Sequence, residues 1–300
     1  GVIGGLGYLG AVVSITYRLL RVADPRASFG VFTIVRKLDT CRDLADVLIP
    51  ETRRTVEEES DPQNPHKLDA IYSALVPHGR GEPSALFFTS AFVRTTTFKR
   101  MKLHRPKMLA RLLVEWGMRV RVLARLIWWW AWRFEYKDHA CYTDHLDGFT
   151  FFVDGNARAK RIWPFGTLKT VQQTFVVPSD PGTDETWVEG GQRLADWLER
   201  TQAYFADRGL EPTLQDVLWL PRDLRFLMSA TADLAGFAVS YAFETSDDEE
   251  IGRVKEAFSK LSHVLWNDYG GRVYLVKNVS ARGSPPWPRC TAPTRPTSSR

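Results

Sequence analysis

Cysteine is scarce in this 300-residue chain: Cys41, Cys141 and Cys290 stand far apart and are odd in number. They make no disulfide framework and no C-x-x-C zinc pair, and they point to a reducing, cytoplasmic compartment. A membrane-spanning run is lacking as well. The long apolar segment 105–133 carries arginine throughout, whereas a span needs ~20 mostly apolar residues. Metal-ligand spacing is also missing. The stretch Tyr136–Asn156 crowds His139, Tyr142, Asp144, His145 and Asp147 together, but His139 to His145 is no familiar ligand interval, so no metal is expected. The net charge of +5 is modest. One mixed helix is not the broad basic, aromatic surface that nucleic acid needs, and no nucleic-acid partner is expected. The apolar fraction, 44%, is that of an ordinary globular chain long enough for one large or two modest domains.

Glycine is concentrated at the first residues, GVIGGLGYLG. Gly5-x-Gly7-x-x-Gly10 has the G-x-G-x-x-G spelling, but a dinucleotide fold needs a strand before it and a helix after it. The adjoining residues, AVVSITYRLLRV, alternate Val13, Ile15, Tyr17 and Leu19 with polar residues and read as a strand. A glycine-rich turn feeding a sheet edge is the alternative.

Further along, Phe29–Leu38 reads as a strand and residues 39–54 as a helix with Asp39 as N-cap. Residues 57–67 read as a polar loop. Two apolar runs, 67–76 and 84–93, form a hairpin across 77–83. Residues 105–133 are a basic, Trp-rich helix and 134–166 are less regular. Then come a strand (168–178), a helix (186–209) ended by Gly209, strands at 213–220 and 234–244, a helix (246–265) capped by Ser246, and a last strand (270–277). The order β-α-β-β-α-β is the ferredoxin-like split unit, and 29–94 looks like a partial repeat of it. The fold class is therefore α+β: one large antiparallel sheet with helices on one face. The tail 282–300, rich in Pro, Arg, Ser and Thr, is expected to be disordered.

The opening Gly4, Gly5, Gly7, Gly10, Ala11 and Val12, passing straight into a strand, resemble the end of the FAD-binding domain in the vanillyl-alcohol-oxidase/p-cresol-methylhydroxylase superfamily. The resemblance implies that residues 1–24 finish an FAD domain lying mostly upstream and that 25–281 form its cap, or substrate, domain. It also implies a cofactor, FAD, bound by those six residues. A second match is GGRVYLVK (270–277), similar to a late segment of the decaprenylphosphoryl-ribose oxidases of that superfamily. There the Tyr contacts flavin and the Lys sits at the pyrimidine side of the ring, which carries over to Tyr274 and Lys277. A fixed cation there stabilises charge developing during hydride transfer. The rival reading of Lys277 is a surface lysine after an edge strand.

A third match is TVQQTFVVP (170–178): Gln172 takes the first glutamine of a similar strand and Thr174 stands where the second would be. Strand alternation gives Gln172 and Thr174 one face and Gln173 the other, so the first two are substrate-side candidates unless that face looks to solvent. Tyr142, Leu146, Asp147 and Phe149 resemble an aromatic stretch of the same enzymes, with Tyr142 and His145 as acid–base candidates. The Trp-rich helix leaves two readings open. It is interfacial, giving peripheral membrane contact, or it packs on its own sheet with Trp130 and its neighbours walling a pocket. The implied function is FAD-dependent hydride transfer to or from an apolar or lipid-linked small molecule, more loosely like the delta-24-sterol reductases. Oxidase, dehydrogenase and C=C reductase stay unseparated. A non-catalytic membrane-surface module and a sugar or lactone oxidase with covalent flavin are the alternatives.

Overall fold

A computed structural model of the chain describes residues 29–59, 70–76, 84–94, 117, 120–135, 137–145, 169–180, 182–223 and 230–274. The glycine run, the strand expected after it, Lys277 and the tail lie outside the described residues, as do 77–83, 105–116 and 146–168.

Eight strands form one antiparallel sheet in the order β4-β1-β3-β2-β6-β7-β5-β8. They are β1 (Phe29–Leu38), β2 (Ala70–Val76), β3 (Ser84–Arg94), β4 (Ala140–His145), β5 (Lys169–Pro178), β6 (Leu214–Leu220), β7 (Gly236–Thr245) and β8 (Arg272–Val273). Among the described residues, four α-helices accompany them: α1 (Cys41–Glu59), α2 (Arg121–Trp130), α3 (Asp184–Asp207) and α4 (Asp248–Tyr269). The two halves follow one plan. β1-α1-β2-β3-α2-β4 and β5-α3-β6-β7-α4-β8 each place their strands fourth, first, third, second. They join edge to edge where Ser73 opposes Val217 and Ala74 opposes Asp216. At that seam Ser73 Oγ donates to Val217 O at 2.7 Å.

The pleat divides the sheet. Phe237, Val239, Tyr241 and Phe243 of β7 and Val171, Phe175 and Val177 of β5 join the core with α1, α3 and α4. Phe175 lies 5.3 Å from Trp197 of α3 and 5.9 Å from Phe258 of α4, centroid to centroid. Phe205 meets Tyr241 edge-on at 5.1 Å. Tyr241 Oη is hydrogen-bonded to Thr201 inside this core, and burial pushes its phenol far above the ordinary range. These aromatic pairs bury large areas in the geometry that ring quadrupoles favour. α1, α3 and α4 thus cover one face, as the sequence implies; α2 departs from that expectation, since it has no residue in this core and its π-turn meets Lys37, which lies in the row of the opposite face.

Local chemistry sets the helix ends, and several differ from expectation. The N-cap of α1 is Thr40, not Asp39: Thr40 Oγ1 accepts from Asp43 N and Asp43 Oδ2 accepts from Thr40 N, each at 3.0 Å. The helix runs on to Glu59, into what reads as a polar loop, and Arg36–Glu51 and Arg54–Glu51 pairs line its middle. The N-cap of α4 is Asp247 rather than Ser246, with its carboxylate accepting from Glu249 N at 2.9 Å. Gly209 does end α3. With φ 61°, it lets Leu210 N donate back to Phe205 O at 2.9 Å. The irregular 134–166 stretch hides a strand, β4, paired to β1. Conversely, the last strand is described only as Arg272–Val273, not from Gly270.

Gly270 and Gly271 turn α4 into β8. Gly270 adopts φ 65°, and a Cβ on Gly271 would lie 2.5 Å from both Val176 O and Leu265 Cδ1. Gly271→Ala should therefore cost about 2 kcal/mol or more through overpacking. Gly252→Ala, in an open stretch of α4, should gain up to about 1 kcal/mol from helix propensity. Urea unfolding of the two variants gives both values.

Candidate functional site

The face of the sheet opposite α1, α3 and α4 is where sequence-predicted site residues gather. Its β7 positions are small: Ala238, Ser240 and Ala242, alternating with the large core residues. Across from them on β5 stand Val176, Thr174 and Gln172, in register with Ala238, Ser240 and Ala242. On the other side β6 sets Leu218, Asp216 and Leu214 against the same three. Thr174 and Ser240 are buried, and their hydroxyls are hydrogen-bonded at 2.9 Å. Gln172 is half-buried beside them, while Gln173 points into the core on the helix side. The expected division of the two glutamines holds.

Tyr274 arrives on this face from one hundred residues downstream. Its backbone N–H donates to Thr174 O at 2.9 Å, continuing the β5–β8 ladder. The half-buried side chain packs with Val176, Ala230 and Ala238. Arg272, two residues earlier, clamps the corner. It pairs with Asp233 at 2.7 Å, lies 4.5 Å over the Trp266 ring and donates to Gly270 O and Gly271 O. That clamp sets the register of Tyr274, since a one-residue slip would move the ring to the core side.

Other candidates sit elsewhere. β4 and β8 are opposite edges of the sheet. Tyr142 opposes Thr33 and His145 opposes Gly30 on β1. Seven strand spacings put them roughly 30 Å from Tyr274. The structure does not bring these acid–base candidates to the Gln172–Thr174–Tyr274 floor. Trp130 is half exposed at the end of α2, with Phe134 6.5 Å away. It too is apart from the β5–β8 floor.

Three residues of this face went unread in the sequence. Ser240 was legible in the small–large alternation of FAVSYAF, which marks a two-faced strand. Asp216 joins this row through the β6–β7 pairing, opposite Ser240. Lys37 of β1 shares the row through Leu86. Burial holds its ammonium below the usual lysine value, against the opposing pull of Asp138. Lys37 Nζ donates to Trp132 O, and Lys37 N donates to Asp138 Oδ1 at 2.8 Å. Burial works against ionised Asp138, but that bond and those from His139 hold its carboxyl below the usual value.

Chemically the floor offers an amide, two hydroxyls and a phenol beside small side chains. Across β8, β5 and β7 it spans roughly 10 Å. It suits a flat ligand with hydrogen-bonding edges lying close to the backbone.

No family model matches the chain, and no curated protein matches it. Similar solved structures include CrmK, a flavoenzyme involved in the shunt product recycling mechanism in caerulomycin biosynthesis. It is 11% identical with a TM-score of 0.41, over 85% of this chain and 47% of that one. The glycopeptide hexose oxidase DBV29, complexed with teicoplanin, is 11% identical with a TM-score of 0.35, over 84% of this chain and 46% of that one. The chain spans about half the length of each. At that level of likeness a functional reading rests on the chain's own residues.

The buried hydroxyl pair is directly testable. Thr174→Val leaves Ser240 Oγ without its partner and should cost about 1–2 kcal/mol. Pairing it with Ser240→Ala in a double-mutant cycle should give a coupling of about 1 kcal/mol by urea unfolding.

Proposed function

We propose that the chain is the cap, or substrate, domain of an FAD-dependent oxidoreductase, residues 25–281, and that the sheet face opposite α1, α3 and α4 lies, at β5, β7 and β8, against the flavin and its substrate. The observation that supports this reading is a convergence. Gln172 and Thr174, from one matched segment, share a floor with Tyr274, from another a hundred residues away. The resemblance expects both segments at the flavin.

The residues fit such a group. Ala238, Ser240 and Ala242 keep the buried side chains of β7 short on this face, and the half-buried Gln172 and Tyr274 provide polar groups beside them. When bound, the flavin supplies hydride transfer at N5. Tyr274 positions the ring. Gln172, with Thr174 held by Ser240, orients the substrate over it by hydrogen bonding. Lys277 supplies a fixed positive charge for the pyrimidine edge. The six matched residues of the opening run, Gly4 to Val12, line the nucleotide. Thr174 in place of a glutamine shortens the polar side chain and indicates a substrate different from the lipid-linked sugar of the oxidases it resembles. The substrate remains an apolar or lipid-linked small molecule.

The test uses protein expressed from its complete reading frame with FAD supplied. It should purify yellow, with flavin absorbance at one equivalent per chain. Tyr274→Ala should reduce flavin retention. Gln172→Ala should keep the flavin and lower kcat/KM about tenfold, the loss of ~1.4 kcal/mol of transition-state stabilisation. Colourless protein after reconstitution overturns the reading.

A further inference from the structure

Helix α2 differs from the other three. α1, α3 and α4 send their apolar residues into the core beneath the sheet, and each begins with acidic residues. No described residue of α2 belongs to that core. Val122, Leu126 and Trp129 are exposed at 68%, 56% and 50%, and Leu123 and Trp130 flank them. Spaced i, i+4 and i+7, the first three form one stripe. Among the described side chains of the helix, only Ile127 turns inward, against Gly117.

The π-helical turn Ala131–Glu135 prolongs that stripe. In a π-turn residues i and i+5 align, where in an α-helix they diverge. Phe134 is brought edge-on to Trp129 at 5.9 Å and is itself 56% exposed. The stripe therefore ends in an exposed aromatic cluster. Two anchors hold the helix so that it faces outward. Arg125 makes a bidentate pair with Glu211 at 3.1 and 2.8 Å, and Lys37 grips Trp132 O at the other end.

Charge identifies what the stripe meets. From Gly117 to the end of the π-turn the sequence holds four arginines, Arg119, Arg121, Arg125 and Arg133, against one carboxylate, Glu135. Arg125 is neutralised by Glu211; Arg133 is exposed and lies 5.8 Å over the Phe134 ring. Ten α-helical residues are about 15 Å long, half the ~30 Å of a bilayer core, so the helix can only lie along a surface. An apolar ridge with aromatic residues at one end and arginines in excess over a single terminal acid has the composition of an interfacial membrane helix.

We infer that α2 and the following π-turn bind an anionic lipid surface, inserting Val122, Leu126, Trp129 and Phe134 among the acyl chains near the headgroups. This does not depend on the flavin reading, and its test has a separate readout. Full-length protein is sedimented with phosphatidylcholine vesicles and with vesicles that also contain phosphatidylglycerol. Binding should need the anionic lipid and weaken with salt. L126E/W129E should bind about tenfold or more weakly with unchanged thermal unfolding, since both side chains are exposed. Arg133→Glu should remove the preference for anionic lipid. Val122→Glu, at the most exposed position, keeps the test readable should the double variant misfold. Absent binding, equal binding to both vesicles, or unchanged binding by the stripe variants overturns the inference. So does a wild-type dimer that L126E/W129E dissociates without any vesicle binding, which would assign the stripe to a second copy.

Discussion

The pleat of β7 governs both what holds the molecule together and what it presents. Phe237, Val239, Tyr241 and Phe243 point one way, and Ala238, Ser240 and Ala242 the other. On the first side the rings interlock with Trp197, Phe205 and Phe258 and fix α3 and α4 over β5 and β7. Each large side chain buried there contributes on the order of 2–3 kcal/mol. A one-residue slip would expose all four and bury the small set, so the register is strongly determined. The floor on the opposite face is the other consequence of that register. Aromatic bulk is used up on the core side, and what remains on the opposite side is small and partly polar.

The second constraint is the seam. A β-α-β-β-α-β unit leaves its second strand at an edge, and unpaired edges invite association. Here the edges β2 and β6 cover each other, with Ser73 tying the two. The duplicated plan makes an eight-stranded sheet whose outer strands, β4 and β8, come from different halves. Sequence neighbours of the two units are thereby carried far apart. That is why Tyr142 and His145 cannot act with Tyr274, although all three carry side chains suited to acid–base work.

Most of the second half was legible in the sequence because its signals are local. Strand alternation at 169–178 and 236–245, a glycine after α3 and acids at the start of α4 each report on a few adjacent residues. The misreadings are of another kind. The acidic end of α1, Glu57–Glu59, opposes the helix dipole, yet the helix runs through it. β4, ACYTDH, is a strand because β1 is there to pair with it. α2 ends at Trp130 rather than at Arg133, since the backbone passes into a π-turn at Ala131. The floor was half legible. Period alone gives Gln172 and Thr174 one face, whereas Asp216 is placed beside them by the β6–β7 pairing, and Lys37 shares the row only across the seam, far along the sheet on β1.

The segment that most resembles a flavin site also illustrates how such matches should be weighed. Gly270 is needed for its left-handed turn, Gly271 for its approach to Val176 O, and Arg272 for its hold on Asp233 and Trp266. Each has a folding reason, so Gly-Gly-Arg would be selected in this corner whatever lay above the sheet. The residues without such a reason carry more functional weight. A buried sheet face is stabilised best by Val and Ile, yet Thr174 and Ser240 place two hydroxyls there and must satisfy each other. Replacing both with apolar groups of like shape would cost the fold little. Their retention beside Gln172 and Tyr274 is the part of this face that stability does not account for, and it is where a ligand with polar edges would be recognised.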